Sequence, residues 1–375
     1  MKTLHIHIGT AKTGTTSIQK FCADNAKILE KKGYCYPLFP QFCSEVSSLR
    51  AHFLMESATE DPKDECPEKE KNIFRKGMDK VCGLFHSYDN VILSDESIWR
   101  GMDCERKDFW EVMKREAEAG QFRIHVIVYL RRQDSYFTSL WNQKVKSHKC
   151  KESFEDFAAN TDVLRLDYFY KLEKIASIIG KENITVRRFV PGEFEGGSIY
   201  SDFLLAIGLS LTDEYSIEKG VYNTGLYGNN IEIKRVLNAI PQMDSEAMRE
   251  LIVPALRECS KISKRQYSCA VCSQGEIKEF LSRYEEGNRK VAKEYLNLAD
   301  EALFDDDISD VPKWQKDNPY MLDDIVRFLG MTILSLHQDN MEIKKDVVKI
   351  RKILYYMKHP FEAVRKAGRK ISGKK

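Results

Sequence analysis

Lys12 lies between Gly9 and Gly14 in the run Leu4-His5-Ile6-His7-Ile8-Gly9-Thr10-Ala11-Lys12-Thr13-Gly14-Thr15-Thr16-Ser17-Ile18. Leucine and isoleucine alternate with histidine before the first glycine, which predicts a short strand, and a helical pattern begins after the second. A glycine-bearing turn between strand and helix aims several backbone N–H groups, and the positive end of the helix, at one spot. That spot suits a phosphate or another oxyanion. The Gly9-x4-Gly14 spacing is that of a nucleotide-triphosphate loop, but such a loop carries a lysine directly after its second glycine. Thr15 stands there instead, and the cation lies two residues earlier, on the loop itself.

Three further strands are predicted to bring polar residues to the same edge. Val91-Ile92-Leu93 reads as a buried parallel strand ending in Ser94-Asp95-Glu96. Ile124 to Leu130 is the strongest strand pattern in the chain; it breaks into Arg131-Arg132-Gln133-Asp134, and a helix then carries Ser139, Trp141 and Gln143. Ile184 to Phe189, with Arg187 and Arg188, is the fourth, closed by Pro191-Gly192. Strands alternating with helical segments predict an α/β fold with a mainly parallel sheet, and ligands of such sheets sit at the carboxyl ends of the strands. His5 and His7 are expected to pack beneath a covering helix. A helix from about Gly14 to Lys32 and a second from Ser44 to Glu56 carrying His52 complete the N-terminal part.

The loop, with its lysine followed by Thr-Gly-Thr-Thr-Ser, resembles the 5′-phosphosulfate loop of sulfotransferases that use 3′-phosphoadenosine 5′-phosphosulfate (PAPS). Arg131 and Ser139, spaced Arg-x7-Ser after a strand, and Val186-Arg187-Arg188-Phe189 through Asp202-Phe203-Leu204 to Gly208-Leu209 repeat family features in the same order. The third segment is similar to bacterial carbohydrate-type members, and Asn223 to Asn238 resembles their downstream part. The resemblance spans roughly Leu4 to Asn238 and implies a P-loop-like three-layer core. It implies that Lys12 contacts the bridging oxygen, that Thr13, Gly14, Thr15, Thr16 and Ser17 hold the 5′-phosphate, and that Thr10 and Ala11 belong to the same cofactor-binding loop. Arg131 and Ser139 would bind the nucleotide's 3′-phosphate, which suits a fixed strand-end guanidinium and a helix hydroxyl, and Arg187 is also expected to bind the cofactor. No metal is demanded, because Lys12 and the backbone dipoles supply a positive field. The acceptor hydroxyl needs a base at the strand edge: Glu96 is the first choice, His52 the second and Asp95 the third. The plainer alternatives are a solvated strand-end carboxylate for Glu96 and a half-exposed helix histidine for His52.

Hydrophobic residues at 42% and charged residues at 31% describe a soluble globular protein, and a net charge of +2 over 375 residues argues against wholesale nucleic-acid binding. With no apolar leader and no apolar run of about 18 residues, a cytoplasmic chain with reduced cysteines is expected. Cys269-x-x-Cys272 lacks the second pair or the histidines that a zinc site requires.

The expected organisation is a core over residues 1–240, a helical extension over 241–340 packed on it, and a basic amphipathic tail over 341–375. Pro254 is expected to kink or split a helix spanning Ser245 to Lys261. From Lys344 to the end, twelve Lys and Arg face only Asp346 and Glu362, so the tail suits an anionic membrane surface or a solvated helix docked on its own domain. A glycan hydroxyl is the expected acceptor. The competing classes are a nucleotide-triphosphate-dependent kinase or hydrolase, with Asp95-Glu96 holding Mg²⁺, and an inactive binding module of glycan assembly.

Overall fold

The computed structural model describes residues 1–39, 48–55, 68–101, 108–147, 150–160, 166–217, 225–243, 245–298, 302–305, 307–359 and 361. Along the chain run β1 (Thr3–His7), α1 (Thr15–Asp24), α2 (Ala26–Lys31), β2 (Tyr34–Cys35), α3 (Glu68–Leu84), β3 (Asn90–Ser94), α4 (Ser97–Gly101), α5 (Phe109–Gly120) and β4 (Arg123–Leu130). Then follow α6 (Gln133–Ser147), α7 (Phe154–Asn160), α8 (Tyr168–Ile179), β5 (Ile184–Arg188), α9 (Ile199–Ala206), α10 (Asn229–Leu237), α11 (Glu246–Gln266), α12 (Gln274–Ser282), α13 (Glu285–Tyr295) and α14 (Met321–Lys358).

All five strands are parallel, in the order β2-β3-β1-β4-β5. Strand alternation sends the two faces of the sheet into two separate cores. Leu4, Ile6, Val91, Leu93, Val126 and Val128 belong to one, with α3, α5, α8 and α13. Ile92, Ile127 and Tyr129 belong to the other, beneath α1 and α9. The fold is therefore three-layered α/β, as the alternating pattern predicts. The carboxyl ends of β1, β3 and β4 come together at one edge.

The contacts divide the chain into two units. One holds residues 1–143, 152–224 and 271–313; the other holds 144–151, 225–270 and 314–375. This division does not run at residues 240 and 340. Val291 and Ala292 on α13 are fully buried in the same core as Tyr168 and Leu172, which returns the chain to the first unit after α11.

Several helix boundaries differ from expectation for local reasons. The first predicted helix is two, because Asn25 turns its side chain onto the Phe21 and Ser216 carbonyls and accepts from the Ser216 N–H. Tyr34–Cys35, expected as an extended connection, adds a short edge strand. Pro254 does not break α11, since Ile252, Val253, Ala255 and Leu256 are all buried around it and outweigh the lost hydrogen bond. The predicted Gly275 to Asn297 helix is interrupted at Tyr284, which is buried against Phe280. The helix expected over Met321 to Leu336 continues to Lys358, across the expected start of the tail.

The histidines of β1 lie on the α1 side, within the sheet. His5 Nδ1 meets His125 Nδ1 at 2.9 Å, His5 Nε2 meets Asn90 Oδ1 at 3.1 Å, and His125 Nε2 meets Thr185 Oγ1 at 2.8 Å. One proton pattern satisfies all three contacts. Thr185 donates to His125, His125 Nδ1–H donates to His5, and His5 Nε2–H donates to Asn90, so both rings are neutral. Burial pushes the His5 and His125 imidazoles down to about 4 and the His7 imidazole down to about 3.

An unfolded histidine titrates near pH 6.5, so between that pH and about 4 the unfolded chain binds protons that the folded chain refuses. Stability must fall with pH across this window, by up to about 1.4 kcal/mol per pH unit for each histidine. Thermal unfolding from pH 7.5 to 5 should show this loss. A melting temperature unchanged down to pH 5 would contradict it.

Candidate functional site

The loop after β1 is built by three residues with positive φ: Gly9 at 75°, Lys12 at 70° and Gly14 at 74°. Alternating handedness of this kind curls the backbone so that successive N–H groups converge on a concave face. Two ladder-like bonds tie the loop to β4, from Ile8 N to Ile127 O at 3.0 Å and from Thr10 N to Tyr129 O at 2.9 Å. The buried Thr10 and Thr13 hydroxyls serve the loop itself, donating to the Tyr129 and Thr10 carbonyls.

Gly14 is the N-cap of α1, and its carbonyl takes the Ser17 and Ile18 N–H groups. That leaves the N–H groups of Thr15 and Thr16 directed out of the helix start. A Cβ on Gly9 would stand 2.9 Å from Glu96 Cβ, and one on Gly14 would stand 2.5 Å from Ile199 Cδ1. Both glycines are thus fixed by close approach as well as by φ.

Lys12 and Arg131 meet beside this loop. Arg131 leaves the end of β4, donates from Nη1 to the Lys12 carbonyl at 3.1 Å, and lies 5.8 Å from the Phe189 ring centre. Tyr168 donates to the Arg131 carbonyl at 2.6 Å, fixing the strand end. Both cations are half-buried. Burial lowers the Lys12 ammonium, and the neighbouring Arg131 lowers it further, with Glu96 acting the other way. Burial also lowers the Arg131 guanidinium.

Among the described residues neither Lys12 nor Arg131 pairs with a carboxylate. The nearby Asp134 is occupied by Arg132, at 2.8 and 3.0 Å, and Arg132 also donates to the Asp305 and Asp307 carbonyls. Two half-buried positive charges against a nest of N–H groups are costly unless an anion joins them.

The carboxyl end of β3 supplies the opposite charge. Asp95 is fully buried and accepts from Arg50 Nη2 at 2.6 Å, His52 Nδ1 at 3.0 Å and Ser97 N at 2.7 Å. Burial alone would raise its carboxyl, but the His52 hydrogen bond and the Arg50 charge hold it below its ordinary value. Asp95 is therefore a fixed anion that orients Arg50 and His52. His52 opens a single 3-10 turn, His52–Met55, in place of the expected helix. That turn is anchored by Ala51 N on Ser94 O at 3.1 Å and by the buried Phe53 and Leu54. The rest of the expected helix lies largely outside the described residues.

Glu96 is less enclosed. It accepts from Gln19 Nε2 at 3.2 Å and lies 3.5 Å from Arg50 Nη1. Gln19 also donates to Ser94 Oγ, which meets the buried His7 Nδ1 at 2.9 Å. Arg50 and Gln19 are members of the site that no motif announces, since their partners lie 45 and 77 residues away in sequence.

The remaining expected residues lie on the loop, α1, α6 and β5. Ser139 is half-buried on α6, the helix that follows Arg131. Ala11 is half-buried on the loop, and Thr16 is exposed at the start of α1. Arg187 on β5 donates to Glu195 Oε1 at 2.7 Å and lies 3.8 Å from Asp202. Asp202 also takes the Tyr129 hydroxyl at 2.6 Å and Glu195 N at 2.9 Å, so this cluster fastens the start of α9 over the sheet.

No family model matches the chain. An uncharacterised protein of Archaeoglobus fulgidus is 27% identical over 189 residues, which cover 48% of each chain. The chain thus spans about half the length of the curated relative it matches. In structure it is similar to a sulfotransferase from Alicyclobacillus acidocaldarius, with a TM-score of 0.36 and 14% identity over 67% of this chain and 95% of that one.

Proposed function

We propose that the chain is a PAPS-dependent sulfotransferase. The observation that carries this reading is the pair of half-buried cations, Lys12 and Arg131, without carboxylate partners among the described residues and beside a loop of convergent N–H groups. When bound, PAPS supplies an activated sulfuryl group whose departure builds negative charge on the bridging oxygen.

Lys12, half-buried on the loop, meets that charge with its ammonium. The N–H groups of Thr13 to Thr16 and the Thr15, Thr16 and Ser17 hydroxyls hold the 5′-phosphate. Thr10 and Ala11 shape the turn. Arg131, with Ser139 on the next helix, takes the 3′-phosphate; Arg187 contributes from β5 through the frame it forms with Glu195 and Asp202.

Glu96 takes the proton of the acceptor hydroxyl. The second choice is His52, favoured by its 3.0 Å bond to Asp95, which would orient the ring and stabilise its charged form. The polar setting of Arg50, His52, Gln19 and Glu96 suits a polyhydroxyl acceptor, a glycan, better than an apolar alcohol. A kinase or hydrolase reading would draw on Asp95 and Glu96 for Mg²⁺, and Asp95 already accepts from three donors, which leaves Glu96 alone for that role.

Transfer of radiolabelled sulfate from PAPS across a panel of cell-surface glycans tests the proposal. Incorporation should require Lys12 and should be lost in Glu96→Gln. If His52 is the base instead, His52→Gln abolishes transfer and Glu96→Gln retains it. No incorporation into any acceptor, together with turnover of Mg-ATP, would contradict the assignment.

A further inference from the structure

The 38-residue helix α14 belongs to the second unit, and only one of its faces is occupied there. Asp324 and Phe328 are buried, and Asp324 accepts from Asn229, Ser263 and Tyr267 at 2.7–3.0 Å. The opposite face carries a heptad repeat that no other described element of this unit covers. With Val326 at position a, that position recurs as Ile333, Asn340, Val347 and Leu354. Position d is Leu322, Leu329, Leu336, Ile343, Ile350 and Met357. The apolar members of both rows are 39–73% exposed.

Five heptads with this spacing exceed what an ordinary amphipathic surface helix shows. The residue choices also specify the partner. β-Branched residues dominate the first four a positions, leucine fills the first three d positions, and a single asparagine stands at a. That combination selects two parallel strands in register, where Asn340 can bond to its own counterpart.

The flanking charges agree. Position g carries Asp339 and Asp346, and position e five residues later carries Lys344 and Arg351. In a parallel pair Asp339 meets the partner's Lys344, and Asp346 meets the partner's Arg351. In an antiparallel pair the aspartates would face each other. In the single chain Asp346 has an exposed contact to Lys349 at 2.7 Å.

We propose that α14 joins two copies of this chain as a parallel two-stranded coiled coil. An anionic membrane surface is the rival occupant. Basic residues do flank the seam, but Lys344, Arg351 and Lys358 at position e lie between the a row and a second apolar row, Leu334, Met341, Val348 and Tyr355. That places charges inside the face that would have to enter the lipid.

Sedimentation of the full chain should give twice the 43.5 kDa chain mass. The double variant Ile343→Asp/Ile350→Asp should be monomeric while the first unit keeps its thermal transition. Asp339→Lys/Asp346→Lys should weaken self-association about tenfold or more at low salt, and adding Lys344→Glu/Arg351→Glu should restore it. Asn340→Cys should form an interchain disulfide that the wild-type chain does not form.

A wild-type monomer at about 100 µM would overturn the proposal. So would a dimer that survives both aspartates, or cross-linking of Asn340→Cys only to distant positions. Binding of a monomeric chain to phosphatidylglycerol vesicles, lost in the Ile343→Asp/Ile350→Asp variant, would assign the face to lipid instead.

Discussion

Lys12→Gly should unfold at a higher temperature than the wild type and yet transfer almost no sulfate. The two effects have separate causes. Lys12 holds φ 70°, a left-handed conformation that costs a non-glycine residue about 1–2 kcal/mol, and nothing in the loop's hydrogen bonding requires its side chain. Glycine removes that strain, less the extra entropy of its unfolded state, for a net gain of about 0.5–1 kcal/mol. The Arg131 bond goes to the backbone carbonyl of residue 12 and survives the substitution. What disappears is the ammonium. A preorganised donor aimed at developing charge is worth about 10²–10³ in turnover, and the loss should fall on kcat more than on nucleotide affinity. Lys12→Ala should lose the same activity without the gain in stability. Ordinary turnover in Lys12→Gly would remove the role assigned to this side chain.

Arg131→Ala should act on binding. A hydrogen bond to a charged group contributes about 1.5–3 kcal/mol, so affinity for adenosine 3′,5′-bisphosphate should fall about 10- to 100-fold. Affinity for the analogue with a free 3′-hydroxyl should change far less. Arg131 also clamps the Lys12 carbonyl, so a modest uniform loss is expected on top of the selective one. Arg131→Lys keeps a cation but not the fixed fork, and its selectivity should lie between the two. An equal loss for both nucleotides would mean that Arg131 serves the loop alone.

Much of this arrangement is legible in the amino-acid sequence. Val91 to Leu93, and Ile124 to Leu130 apart from His125, are apolar runs that suit strands buried on both faces. The strand-loop-helix signal at Leu4 to Ile18 is local, as are Lys12 and the strand-end positions of Arg131 and Glu96. Contacts across long loops carry no such signal. Arg50 joins the site through Asp95, and Gln19 joins through Glu96 and Ser94. Neither has a neighbour in sequence that marks it. Arg187 shows the converse, a motif position whose guanidinium is engaged by Glu195 and Asp202. Alternation along β1 puts its histidines beneath a helix, but the pairing of His5 with His125 depends on strand order, which one sequence does not state. Asn340 and the charges around it hide the length of α14, because they dilute the apolar pattern where the heptad continues.

The central claim is that Lys12, Arg131 and the loop form a site for a nucleotide bearing both a 3′- and a 5′-phosphate. Isothermal titration of the full chain with adenosine 3′,5′-bisphosphate, without divalent cations, tests it most directly. Binding should be in the micromolar range or tighter, at least about tenfold stronger than for adenosine 5′-monophosphate, with the difference abolished in Arg131→Ala. Equal affinity for the two nucleotides, or tight binding of Mg-ATP with no response to the bisphosphate, would contradict it.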